Sequence, residues 1–153
     1  MQIKSPEFNH NENIPSKYTC EGENISPPLT FSEVPENAQT LALIVDDPDA
    51  PDPDAPKMTW VHWVVFNIDP KTTEVGENTI PNGGTQGTNN FDELDYGGPC
   101  PPIGEHRYFF KLYALDTKLG LDTNATKDDL IEAMDGHVLD EAELIGLYEK
   151  QTK

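Results

Sequence analysis

The sequence predicts a mainly β, single-domain protein. Three observations carry that reading: three long runs of β-branched and aromatic residues, an abundance of turn formers, and one clear helix-start signature. The 153 residues suit one core, since a chain of that size buries roughly two thirds of the surface its unfolded form exposes. With 35% apolar residues, 14 prolines and 11 glycines, the composition is that of a globular, loop-rich chain assembled from many short elements.

Residues 1–37 carry Pro6, Pro15, Pro27, Pro28 and Pro35 among scattered Asn and Ser, which leaves room for short strands and turns but no long helix. The run TLALIVD at 40–46 is continuous, apolar and β-branched. It reads as a buried strand that stops at the proline-rich DPDAPDPDAP. TWVHWVVFNI at 59–68 is a second strand, with Trp60, His62, Val64, Phe66 and Ile68 expected on one face and Val61, Trp63 and Val65 on the other.

Residues 76–105 are turn-rich and too long for an idle connection in a compact domain. HRYFFKLYAL at 106–115 is a third strand, placing His106, Tyr108, Phe110 and Leu112 on one face and Arg107, Phe109 and Lys111 on the other. Thr126 and Asp129 form a capping box for a helix over 127–135, closed by Gly136. The tail HVLDEAELIGLYEK has helical propensity in EAEL, while its rough apolar alternation leaves a strand open. No domain boundary appears within 1–153, and the one tandem repeat is DPDAP at 47–51 and 52–56.

A net charge of −18, from 28 acidic and 10 basic residues, repels phosphodiester backbones and anionic membranes. Arg107 is the one arginine, and no lysine cluster tracks a phosphate backbone. Nucleic acid is therefore not an expected partner. Without an apolar N-terminal run or a stretch of about 18 apolar residues, neither a secretory signal nor an integral membrane span is expected. The chain is placed in the cytoplasm. There a reducing environment keeps its two cysteines, Cys20 and Cys100, free, although they could in principle pair.

Three features carry chemistry: Asp47 and Asp49 on a proline-stiffened loop, His62 inside an apolar strand, and His106 with Tyr108 opening another. Each has a bland reading, because a lone buried histidine is more often a satisfied core residue and an aspartate in a turn usually caps backbone donors. Together they suit a small phosphate or carboxylate group. A carboxylate accepting from one histidine nitrogen favours the charged ring and leaves the other N–H to meet an anionic oxygen. Two histidines and a carboxylate also compose a metal or acid–base site, so a hydrolase using Asp47, His62 and His106 is the competing reading. No HExxH, GxSxG or Walker pattern occurs, and no catalytic nucleophile, metal ligand set or cofactor is nominated. A third reading gives function to the acidic surface alone, as a site for protein interaction.

The segments IPSKYTCEGENISPPLTF at 14–31, LALIVDDPDAP at 41–51, HWVVFNI at 62–68, YGGPCPPIGEHRYFFKLYALD at 96–116 and GHVLDEAELIGLYEK at 136–150 together resemble the phosphatidylethanolamine-binding protein family. The likeness is greatest to its bacterial and archaeal Raf-kinase-inhibitor-like branch. It spans nearly the whole chain and implies a Greek-key antiparallel β-sandwich with one or two short helices and the 138–149 segment as a final strand. It also implies a non-enzymatic pocket for a phosphate-containing small molecule or lipid headgroup, with a kinase or protease as partner. Carried over residue by residue, the ligand-binding positions are Asp47, Asp49, Trp60, His62, Gly98, Pro102, His106 and Tyr108. The first DPDAP copy is chosen because it directly follows a strand, which leaves Asp52 and Asp54 to a variable loop. The sequence stops at Lys153, before the C-terminal helix that covers the pocket in eukaryotic members, so that lid's residues are not expected; the loop before His106, PCPPIGE, is shorter than in those members, so pocket width and headgroup preference do not transfer. Exposed sheet edges in such sandwiches also suggest a homodimer.

Overall fold

The computed structural model describes residues 1–151. Nine strands and one helix follow one another as β1 Gln2–Lys4, β2 Glu12–Asn13, β3 Leu29–Ser32, β4 Thr40–Ala50, β5 Met58–Ile68, β6 Glu74–Val75, β7 Thr85–Gln86, β8 His106–Leu115, α1 Lys127–Met134 and β9 Val138–Tyr148. They form a three-stranded sheet, β1-β3-β6, and a six-stranded sheet, β2-β9-β8-β4-β5-β7. Every pairing is antiparallel except the short β2–β9 contact. The mainly β architecture expected from the sequence is what forms.

The main core fills the space between the sheets. Leu41, Leu43 and Val45 of β4 meet Phe110 and Leu112 of β8 there, under Ile3, Leu29, Phe31 and Val75 of the small sheet. A second cluster covers the outer face of the large sheet, where Leu130 and Met134 of α1 pack on Ala42, Ile44, Val64 and Phe66. Helix α1 starts on the expected capping box, with Thr126 and Asp129 bonded reciprocally. It ends one residue earlier than the sequence suggests, before Gly136 at φ +80°. Its first residue, Lys127, and Lys111 of β8 both reach the buried Asp46 carboxylate, at 2.7 and 3.0 Å. The helix is thereby tied electrostatically as well as by apolar packing.

Three expectations are corrected. First, β4 does not stop at Asp46 but runs through the first DPDA to Ala50, keeping Asp47 in ladder register opposite Trp60. Second, β5 does not alternate regularly. Val45 pairs with Trp63 and Asp46 with Val61, so His62 is an extra residue in β5, and a second irregularity surrounds Asn67 at φ 56°. A bulge of one residue reverses side-chain phase. Trp63, Val65 and Ile68 consequently join the inter-sheet core, while Val61, Val64 and Phe66 join the cluster under α1. Third, Cys20 and Cys100 are not free thiols but form a disulfide, with Cα atoms 5.4 Å apart. A reducing compartment favours free thiols, but the fold brings the 16–22 turn against the 97–102 loop and so places the two cysteines together.

The tail is a strand, as the resemblance implies. It pairs with β8 from His106↔Tyr148 to Leu115↔Val138 and buries Leu144 and Tyr148. The ladder and that burial override the helical propensity of EAEL. No helix among the described residues is long and apolar enough to cross a membrane.

Candidate functional site

At the end of the large sheet where β4, β5 and β8 run out, the strands and two loops enclose a cavity of about 240 Å³. Its polar lining is Asp47, His62, His106 and Tyr108, and its apolar lining includes Trp60, Phe91, Pro51, Pro101 and Pro102. No lysine or arginine is among the described lining residues.

Each polar group owes its place to its strand. Asp47 continues the inward phase of Leu43 and Val45 along β4. Its Oδ1 accepts the Asp49 N–H at 2.7 Å, and its Oδ2 lies 2.6 Å from His106 Nδ1. Burial pushes the Asp47 carboxyl above the usual carboxylate range, and the His106 bond opposes that shift. His106 Nε2 faces two carbonyls, Ile103 O at 2.8 Å and Pro51 O at 3.1 Å. Carbonyls only accept, so a hydrogen on Nε2 satisfies them, while Nδ1 is taken up by the Asp47 carboxyl. Both nitrogens of His106 are thereby engaged within the protein, and the expectation that one would meet an anionic oxygen is not met.

Tyr108, two residues along β8, lies nearly parallel to the His106 ring, 6.4 Å between centroids, and edge-on to His62 at 5.2 Å. Its hydroxyl is buried without a hydrogen-bond partner among the described residues, on a residue only 1% exposed. Burial, followed by the nearby Asp47 carboxylate, raises the phenol above its ordinary pKa, so it remains a donor.

The His62 bulge is held by the turn-rich loop. Gly97 N–H donates to His62 O at 3.0 Å and Asn89 Nδ2 to the same oxygen at 3.1 Å. Asn90 accepts the Val61 N–H and donates its own to Val61 O. On the side chain, Nδ1 sits 2.7 Å from Gly97 O, the Gly98 backbone adds weaker support for the charged ring, and no side chain of the described residues bonds to Nε2 of this cavity-lining ring. Burial lowers the ring's pKa to about 4, against weaker support for the charged form from the Gly97 carbonyl and Asp46.

The same loop delivers Phe91, which stands edge-on to Trp60 at 5.4 Å and to His62 at 5.6 Å. Glycines permit this approach, since a Cβ on Gly97 would lie 2.5 Å from the Phe91 ring and one on Gly98 would lie 2.2 Å from Asn24 Oδ1. Cys100 completes the wall and is tethered to Cys20.

Of the eight positions expected from sequence, the structure brings six together: Asp47, Trp60, His62, Pro102, His106 and Tyr108. Two lie outside the lining. Asp49 turns to the exposed Arg107, with a two-pronged contact at 2.9 Å that holds its carboxyl below the ordinary value. Gly98 instead packs behind the wall, donating its N–H to Asn24. Phe91 went unnoticed in the sequence; an aromatic within the polar run NNFDELD was the available signal.

A larger cleft, about 380 Å³, lies between the N-terminal residues and β9. His10 on its wall already accepts the Ile145 N–H at 3.0 Å, and among the described residues no unpartnered buried polar group lines it. Among the described residues no group of three His, Cys, Asp or Glu side chains is arranged to hold a metal ion.

Comparison with known proteins bears on this arrangement. A UPF0098 protein of Methanothermobacter thermautotrophicus is 55% identical over 98% of this chain and 99% of its own length, and one from Chlamydia pneumoniae is 49% identical over 98% and 99%. The crystal structure of a phosphatidylethanolamine-binding protein homologue from Chlamydia trachomatis superposes with a TM-score of 0.92 at 45% identity, covering 98% of this chain and 97% of that one. Escherichia coli YbcL, described as a member of the mammalian PEBP family, gives 0.87 at 34%, with 98% of both chains covered. The profile of that family matches residues 4–149, and the chain therefore belongs to the phosphatidylethanolamine-binding protein family.

Proposed function

We propose that the protein is a non-enzymatic binding module whose cavity takes a small oxyanion, the phosphate group of a compact molecule or lipid headgroup. The observation that carries the reading is the Tyr108 hydroxyl, a buried donor with no partner among the described residues. Leaving such a group unpaired costs about 1–3 kcal/mol, a penalty that a ligand oxygen at that position removes. Trp60 and Phe91 supply an apolar, aromatic wall for whatever carries the anion.

The hydrolase reading draws less support from the geometry. Both His106 nitrogens are engaged, by Asp47 and by carbonyls, so neither is open to a metal or a substrate proton. Regulation of a kinase or protease partner through ligand occupancy is the wider role this reading predicts. The exposed Phe91 and Ile103 beside the cavity offer apolar surface to such a partner.

Calorimetric titration of phosphoethanolamine at pH 6 tests the site. The native protein binds it, and Tyr108→Phe weakens binding roughly 10- to 100-fold, as expected for loss of a hydrogen bond to a charged group. Equal affinity in the two proteins would refute the assignment.

A further inference from the structure

We propose that anion capture in this cavity takes up one proton, which comes to lie between His62 Nε2 and an oxygen of the ligand. The inference rests on the oxyanion reading above. It starts from the tautomer. Nδ1 lies 2.7 Å from Gly97 O, and a carbonyl cannot donate, so Nδ1 holds the hydrogen in every protonation state. With one ring proton, Nε2 presents a bare lone pair to the cavity, and a lone pair facing an anionic oxygen repels it. A proton must join the pair.

Nothing else in the lining offers positive charge for that oxygen. Both His106 nitrogens are engaged, and Arg107 points away to Asp49. The groups around the ring are Asp47 from β4, His106 and Tyr108 from β8, and the Gly97 and Gly98 backbone with the Phe91 ring from the long loop, while Asp46, bonded to Lys111 and Lys127, acts on it by charge alone. Burial outweighs the attraction of Asp46 and holds the ring neutral at pH 7. A bound anion adds the adjacent negative charge that tips the balance. One N–H bond forms at Nε2, and a singly charged ligand plus a proton leaves the site's net charge unchanged.

The proton has two sources, which two probes separate. Dimethyl phosphate carries no titratable proton in the working range, so the proton is drawn from solvent. Phenyl phosphate at pH 5 is already singly protonated and brings its own. Calorimetry in buffers of different ionisation enthalpy counts them: about one proton taken up per dimethyl phosphate, and near zero for phenyl phosphate at pH 5. Dimethyl phosphate affinity falls about tenfold for each unit between pH 5 and the pKa of the ring in the complex, then levels off. His62→Gln, whose amide donates at every pH, flattens that slope. If the variant does not fold, the proton count on the native protein still decides. Binding of both probes with no proton uptake and a flat pH profile overturns the proposal while leaving the anion site standing. No binding of either probe at any pH removes the anion site and this inference with it.

Discussion

Replacing both cysteines, Cys20→Ser with Cys100→Ser, is expected to lower the unfolding free energy by about 4 kcal/mol. The bond joins residues 80 apart in sequence, and the entropy of closing a loop of that length in the unfolded chain corresponds to about 4.5 kcal/mol at 25 °C. Most of this effect resides in the unfolded state. In the folded state the same two segments are also held by Cys20 N–H to Pro99 O at 3.0 Å, Gly98 N–H to Asn24 Oδ1 at 2.9 Å and Tyr96 OH to Tyr18 O at 2.9 Å. The variant should therefore keep its fold and its cavity wall while unfolding at lower denaturant. Guanidinium titration followed by tryptophan fluorescence measures this, with native protein in reductant as a parallel. The denaturant slope should steepen, because an unfolded chain without the cross-link exposes more surface. Thermal unfolding should move down by roughly 10 °C. A loss below about 1 kcal/mol, or a native midpoint indifferent to reductant, would refute the reasoning.

Tyr108→Phe, expected to weaken anion binding, should leave the protein without added ligand as stable or up to about 1 kcal/mol more stable in urea, because it removes a buried hydroxyl that has no partner among the described residues; a clear loss of stability would mean that the hydroxyl is bonded. Lys111→Met with Lys127→Met strips both cations from the buried Asp46 and should cost about 3–5 kcal/mol by chemical denaturation, far more than either change alone. Acid sensitivity follows from His62. Its folded pKa of about 4 lies below the ordinary 6.5, so its contribution is complete above pH 6.5 and is lost as pH falls toward 4, by about 3 kcal/mol in all. His62→Gln should flatten the stability profile in that window, whereas Asp49, held low by Arg107, loses its contribution only at lower pH. In Gly146→Ala the new Cβ would sit 2.5 Å from Ile14 Cγ1 and 2.9 Å from the Phe8 ring, an overpacking worth roughly 1–3 kcal/mol in a melt.

The long strands and α1 were legible because their signals are local: apolar β-branched runs for β4, β5 and β8, and a Thr126–Asp129 capping box. Regular alternation in β8 also fixed that His106 and Tyr108 share a face. The faces of β5 were not legible, because the extra residue at His62 is set by pairing with β4 and by the loop that bonds to it. The Asn67 irregularity had a hint, since asparagine tolerates positive φ better than most residues. Asp47 and Asp49 looked equivalent in the motif; what separates them is that Asp47 remains in strand register opposite Trp60 while Asp49 answers to Arg107. Cysteine pairing across 80 residues left no mark in the sequence, and neither did the tautomer of either histidine.

The bulge in β5 has a consequence for how such a protein can diversify. Residues 63–68, with Val61, supply the two apolar cores, while Trp60 and His62 line the cavity, and the extra residue lies at the join. Side chains on the cavity side can be exchanged without shifting the core registry, and core substitutions need not re-aim Trp60 or His62. One inserted residue thus lets a single strand carry two separately heritable modules. Deletion of residue 62 should be far more damaging than any substitution there, because it would turn residues 58–61 over as a block.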